Sequence, residues 1–317
     1  MDTTSSQLLI PKINLGGGRI VLSKDGPSVA FAELSSTYPL KLLSPHVTED
    51  GIAVVYALTY GGGLVGGDQV NLTATIGSGA TLVLLSQGST KVFKTRLDQR
   101  KSSNVSARHT SRPQERGEPT TQRMEFEISG DGALFLLPEP VTCFRAAAYN
   151  QIQTFRLDIG SSAVILDWVT SGRKSLGEEW DFSRYYSLNE VWVGGTRIAK
   201  DVMLLDDQSA TIPPLPRRTL RDKLAPYSCF ATLILVGPLL QPTIARIATA
   251  YEAIVVFKRT TPEDLIWSTS PIPADCGSGS VVRVAGKEPE AVKRWLKDTL
   301  GHLEDVIGTD IYRRAFL

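Results

Sequence analysis

Histidine and cysteine are scarce in this chain. Its 317 residues hold three histidines (His46, His109, His302) and three cysteines (Cys143, Cys229, Cys276). No two cysteines stand at a CxxC spacing, and an odd, scattered set excludes a disulfide framework. It also excludes a zinc finger, because closed N/S sites need four ligands at short spacings. A charge excess is missing as well: 34 lysines and arginines stand against 33 aspartates and glutamates. That balance excludes the polybasic surface with which nucleic-acid binders hold phosphate. No apolar run reaches the roughly 18–20 residues of a membrane-spanning helix. The first residues, Met1 to Gln7, are polar and lack a signal-peptide core. A cytoplasmic protein is expected. What is present, 42% hydrophobic and 21% charged residues, fits a folded chain.

Short alternating runs dominate the first two-thirds. Val70, Leu72, Ala74 and Ile76 alternate with polar residues, as do Met124, Phe126 and Ile128, and Phe155, Leu157 and Ile159. Period two with one polar face predicts strands. Each run ends in isoleucine, passes a glycine-serine turn, reaches an alanine and enters a second apolar strand. The alanines, Ala80, Ala133 and Ala163, are 53 and 30 residues apart. The segment 98–122 interrupts the longer interval. It is polar, and Val105 and Ala107 are its only aliphatic residues, so it is expected to be a disordered insertion. Without its 25 residues the first spacing is 28. A weak repeat of β-hairpin units follows, stacked in a layered or β-helix-like arrangement.

The last third reads differently. Pro242 opens a helical pattern with Ile244, Ile247, Ala248 and Tyr251 on one face. A second helix starts at Pro289 and runs to Ile307 at three-and-four spacing, with Gly308 as its stop. Leu265–Ser268 and Val281–Val284 are predicted strands. Ile212–Arg218, with three prolines, is a turn-rich connector. The expected fold class is β-rich α+β, one domain, with about two α-helices in the C-terminal third.

Four segments carry the chemistry. YGGGLVGGDQ (Tyr60 to Gln69) is rich in glycine, but its spacing matches neither a P-loop nor a dinucleotide fingerprint, and a strand follows it. It reads as a tight corner, whose Asp68 either caps the turn or is a functional carboxylate. SQGSTKVF follows the first unit and holds Gln87 and Lys91. LPEPVTCF follows the second and holds Glu139 between prolines that confine its strand to an edge or bulge. DWVTSGRKSLGEEWDFSRYY follows the third, with Asp167, Arg173 and Glu178. Stacked units bring Lys91, Glu139, Asp167 and Asp68 to one end. Such a cluster is either a structural ion-pair network or a polar passage for a hard or borderline cation. Catalytic signatures are missing: there is no GxSxG elbow and no HExxH.

Taken together and in this order, GGGLVGGD, SQGSTKVF, LPEPVTCF and DWVTSGR with GEEWDFSRY resemble the urease accessory protein UreD family (UreH in some bacteria). The resemblance is strong from Tyr60 to Trp192, and the 98–122 insertion looks like a eukaryotic, fungal elaboration. It implies a non-enzymatic protein with a β-rich, helix-like stack of strands. It implies partners: UreF, the GTPase UreG with GTP, and apo-urease, in a complex with two copies of this chain. It implies nickel in transit along an internal passage, with no tightly bound cofactor. Asp68, Glu139 and Asp167 would be transient nickel contacts, with Gln87, Lys91, Arg173 and Glu178 around them. A conduit suits this composition better than a store does, since soft N and S ligands are few and weak oxygen ligands release the ion. Trp295 and Leu303, on the apolar face of the late helix, would meet UreF. Two other readings compete: a β-solenoid enzyme acting on polysaccharide through paired carboxylates, and a pure scaffold with no nickel passage.

Overall fold

The computed structural model describes residues 13–94, 118–206, 218–254, 263–273 and 278–316. The chain opens with strands β1 (Gly17–Asp25), β2 (Ser28–Ser36), β3 (Leu40–Leu43) and β4 (Ile52–Thr59). The repeating region holds β5 (Gln69–Ile76), β6 (Thr81–Ser86), β7 (Thr90–Val92), β8 (Thr120–Ile128), β9 (Ala133–Leu136), β10 (Val141–Cys143), β11 (Ala148–Leu157), β12 (Ser162–Thr170) and β13 (Arg184–Val193). It closes with β14 (Thr196–Asp206) and helix α1 (Leu220–Leu224). The last part comprises β15 (Cys229–Val236), α2 (Gln241–Glu252), β16 (Leu265–Ile272), β17 (Gly279–Gly286), α3 (Pro289–Thr299), α4 (Leu303–Ile307) and α5 (Thr309–Ala315).

Two sheets face each other. The outer sheet runs β14-β13-β11-β8-β5-β1-β2, and the inner sheet runs β16-β17-β15-β12-β9-β6-β4-β3. The repeat is real but its units are not hairpins. β5 pairs in parallel with β8, and β8 with β11, while β6 pairs in parallel with β9, and β9 with β12. Each glycine-serine turn therefore carries the chain from one sheet to the other, as in a β-helix. The burial patterns explain why. β5, β8, β11 and β13 largely alternate buried residues with half-buried or exposed ones, so one face of the outer sheet reaches solvent. All nine residues of β12 and all four of β9 are buried, because the inner sheet has the outer sheet on one side and helices on the other. A strand apolar on both faces cannot lie beside a half-polar partner in a two-stranded ribbon without leaving one face wet.

The register also moves the repeat. Ile76 pairs with Ile128, and Ile128 with Leu157, not with Ile159. Ile159 sits in the turn and is 83% exposed. Likewise Ala133 pairs with Thr81 and Ser162 rather than with Ala80 and Ala163. The expected insertion ends earlier than read: Thr120–Gln122 begin β8 and Thr120 is fully buried, while residues 98–117 lie outside the described residues. Residues 212–217 of the proline-rich connector lie outside them too. Pro138 and Pro140 occupy neither an edge nor a bulge; they mark the corner between β9 and β10.

Two cores result. One lies between the sheets and includes a stacked pair, Phe126 and Phe155, whose centroids are 5.0 Å apart. The other lies between the inner sheet and the helices, around Leu233, Val292, Leu296, Leu300 and Ile307. The helix expected from Pro289 to Ile307 is broken into α3 and α4 around Gly301, the residue type with the lowest helix propensity after proline. There are five helices among the described residues rather than about two. α1, α4 and α5 span 5, 5 and 7 residues, too short for a periodic pattern to show. Among the described residues, no helix is long and apolar enough to cross a membrane.

Candidate functional site

The inward face of the outer sheet changes character along the stack. One row reads Ala74, Phe126, Phe155, Val191, all apolar and all in register. The two rows beside it begin apolar and turn polar. The first reads Val70, Gln122, Gln151, Ser187; the second reads Leu72, Met124, Gln153, Asn189, Asp201. Strand parity alone places these amides inside: in β11, Tyr149, Gln151, Gln153 and Phe155 share one face. Opposite them, the inner sheet offers Asp167 on β12, in register with Thr232 on β15 and then Arg283 on β17.

Asp167 is the centre of this arrangement. It is 7% exposed. Gln151 Nε2 donates to its Oδ1 at 2.8 Å, and the Tyr185 hydroxyl reaches the same oxygen at 3.3 Å. Ser187 Oγ and Asn189 Nδ2 donate to Oδ2 at 2.5 and 2.8 Å. Burial pushes the Asp167 carboxyl above the ordinary aspartate value, hydrogen bonds from Ser187, Asn189 and Gln151 pull it back, and the charge of Asp201 adds to the rise. Tyr185 is raised by burial first and by Asp167 second. Further along the row, Thr232 Oγ1 donates to Asp201 at 3.1 Å, and Arg283 pairs with Asp201 at 2.5 Å. Arg283 is half-exposed, so the polar row reaches the surface at that edge.

A cavity of about 50 Å³ lies between the sheets beside Asp167. Gln122, Gln151, Gln153 and Asp167 line one part of it, Ser86, Thr90 and Glu139 another, and Leu40 and Ala57–Thr59 the third, where β3 and β4 border it. At roughly 10–15 Å³ per water-sized sphere it holds only a few waters.

The residues expected to converge divide. Asp167 and Glu139 both border the cavity, as expected. Glu139, however, gives its carboxylate to Lys293 of α3 at 2.8 Å, which leaves Asp167 as the carboxylate among the cavity's amides. Asp68 does not border the cavity. Its Oδ2 accepts the Val65 N–H at 2.8 Å and closes the glycine-rich corner. That corner is structural: Gly61 and Gly62 have φ of 73° and 78°, and a Cβ on Gly63 would stand 2.6 Å from the Lys91 carbonyl oxygen. Gln87 and Lys91 are exposed and do not line the cavity, whose wall here is Ser86 and Thr90. Arg173 and Glu178 form a bidentate pair at 2.6 and 2.8 Å that holds the loop after β12, with the guanidinium 4.1 Å from the Phe144 ring centroid. They are a structural ion pair, and Arg173 holds the Glu178 carboxyl below its ordinary value.

Trp295 is half-buried at the end of an aromatic row, 5.3 Å from Trp267, which is 5.4 Å from Tyr251. Leu303 is 0% exposed in the second core. A docking role for Leu303 is thereby corrected, because its side chain already has a partner surface within this chain. Cys143 and Cys229 are buried free thiols, and burial pushes Cys229 up to about 12. Among the described residues no group of three His, Cys, Asp or Glu side chains is placed to hold a metal ion. Sequence reading missed Gln151, Gln153, Ser187 and Asn189, although each stands at a position whose parity demands an apolar residue.

Comparison with known proteins gives a consistent result. The sequence model of the family described as UreD urease accessory protein matches residues 15–314. A Cryptococcus neoformans var. grubii protein named urease accessory protein 4 is 36% identical, over 96% of this chain and 96% of that protein. Urease accessory protein UreD of Sorangium cellulosum is 33% identical over 95% of this chain and 84% of its own length. Urease accessory protein D of Arabidopsis thaliana is 30% identical over 93% of this chain and 99% of its own.

Proposed function

This chain belongs to the UreD urease accessory protein family, and on that premise we propose that it helps deliver nickel into apo-urease, with the ion passing between its two sheets. The partners in this reading are UreF and the GTPase UreG, in a cytoplasmic complex with two copies of this chain, and its role is not catalytic. One observation carries the reading: a row of amides and hydroxyls around the buried Asp167 runs along the stack through an otherwise apolar core. Burying polar groups there costs stability compared with the apolar row beside it. A plain scaffold has no use for that cost.

The ligand chemistry suits passage better than storage. Asp167 and the amide and hydroxyl oxygens are hard donors, and nickel is held far more tightly by imidazole or thiolate. Release is therefore easy, as conduction requires. Asp167 and Glu139 remain the carboxylates of the route, the latter restrained by Lys293. For UreF, the aromatic row ending at Trp295 is the surface we favour. The test is reconstitution of apo-urease with nickel, GTP, UreF and UreG, with and without this chain. Activation that depends on the chain is expected. Equal activation in its absence would contradict the reading. A pure scaffold would give the same dependence but would tolerate every cavity substitution.

A further inference from the structure

The β3–β4 side of the molecule carries an exposed aromatic corner. Tyr38 stands just before β3, and Tyr60 directly follows β4. Both tyrosines are exposed, at 59% and 49%, and their ring centroids are 5.8 Å apart. The backbone fixes them: the Tyr60 N–H donates to the Pro39 carbonyl at 3.0 Å, and the Gly16 N–H donates to the Tyr38 carbonyl at 2.8 Å. Leu15, next to Gly16, is 82% exposed. Gly61 and Gly62 follow Tyr60 at positive φ, and a Cβ on either would meet nothing within 4 Å. The corner thus presents bare apolar surface on a tethered backbone, which lowers the ordering cost of a contact.

Two cations flank the rings. Lys41 Nζ lies 5.7 Å from the Tyr60 ring centroid. Lys91 is exposed, and its Cβ lies 3.0 Å from where a Cβ on Gly63 would stand. Among the described residues neither lysine has an ion-pair partner. Asp68, the acid of the glycine-rich corner, gives Oδ2 to the Val65 N–H. β3 and β4 end the inner sheet on one side, while β16, which carries Trp267 of the aromatic row, ends it on the other. A UreF molecule held at Trp295 therefore leaves this corner free. We propose that Tyr38, Tyr60, Lys41 and Lys91 form the docking surface for apo-urease and take an acidic patch of that protein. Its carboxylates would meet the two lysines while its apolar side chains cover the tyrosines. Tyrosine gives large contact area for little rotamer entropy, and is enriched among interface hot spots. Lysines without a counter-ion steer an acidic partner and make its binding salt-dependent.

This surface rests on the delivery reading for the identity of its partner, but its test reads binding rather than activation. The full chain, co-purified with UreF and immobilised, is titrated with apo-urease at low and at high salt. Wild type is expected to bind, and more weakly as salt rises. Lys41→Glu/Lys91→Glu is expected to weaken apo-urease binding roughly tenfold or more at low salt. Tyr60→Ala is expected to weaken it by about tenfold at both salt concentrations. Lys91→Gln changes one exposed side chain and is expected to lose part of the salt dependence, so the charge result stands even if the Tyr60 variant melts early. UreF retention is expected to stay at wild type throughout. Equal apo-urease affinity in wild type and the charge variants would overturn the surface, as would loss of UreF with apo-urease binding intact. Either result, with urease activation still dependent on the chain, removes this surface alone. Apo-urease binding that follows the variants, with activation indifferent to the chain, removes the delivery reading alone.

Discussion

Asp167→Asn is expected to assemble with its partners and to lower urease activation roughly tenfold or more, while melting no earlier than wild type at pH 7. The fold tolerates the change because the surroundings can turn. An amide nitrogen in place of Oδ2 meets the Ser187 hydroxyl, which can accept, and Asn189, whose flip presents its orphan Oδ1. The pH dependence follows from the raised carboxyl. Between the ordinary aspartate pKa of the unfolded chain and the higher folded value, the folded state holds more protons. Stability supplied by the protonated group is full below the unfolded pKa and is lost as pH rises through the folded one. Asparagine carries no such dependence. The variant should therefore gain on wild type as pH rises, and the gap should close in acid. Melting curves from pH 4 to 8, beside activation assays, read both effects. A variant that is less stable at every pH but activates urease normally would show Asp167 to be a structural residue.

Leu303→Ala is expected to cost about 2–5 kcal/mol, the range for large-to-small changes at fully buried sites. At about 2–4 °C per kcal/mol, the value for large domains, the melting temperature falls by roughly 4–20 °C. Leu303 starts α4 and packs in the core shared by the inner sheet and the helices. Its loss acts on partner assembly only through the fold, so assembly and melting should fail together. Trp295→Ala behaves differently. Its ring is half-buried and contacts Trp267, so the fold loses less while UreF co-purification weakens. If Leu303→Ala melted like wild type yet lost UreF, the buried position given to Leu303 would be wrong.

These two residues also show what sequence could reveal. Leu303 sits at helical spacing from Leu296 and Leu300, so its apolar face was legible; whether that face meets its own sheet or a partner was not, because periodicity reports burial without naming the surface. The glycine-serine turns and the doubly apolar second strands disclosed a repeat, and parity disclosed which residues share a face. The partner sheet of each strand was not legible, since a turn that reverses the chain within a sheet resembles one that crosses between sheets. Ile159 illustrates the register error: it continues the alternation of Phe155 and Leu157 but falls in the turn. The candidate site was half legible. Asp167 stood out as a carboxylate in an apolar strand. Gln151, Gln153, Ser187 and Asn189 did not, because alternation was followed through apolar residues, and the same parity carried back from Phe155 passes straight through both glutamines. Asp68, Arg173 and Glu178 stood out through their motifs; in the fold Asp68 closes the glycine-rich corner and Arg173 pairs with Glu178 in the loop after β12.

The central claim is that nickel travels between the sheets, and blocking the cavity tests it most directly. Ala57 borders the cavity on β4, in register with Ser86 and far along the stack from Asp167. Ala57→Trp fills that end, with Ala57→Ser as its control, and the readout is nickel bound to urease after reconstitution with an intact, co-purified accessory complex. The route between the sheets requires that Ala57→Trp lower urease nickel to the level found without the chain, while Ala57→Ser stays at wild type. Full nickel loading by the blocked variant would contradict the account.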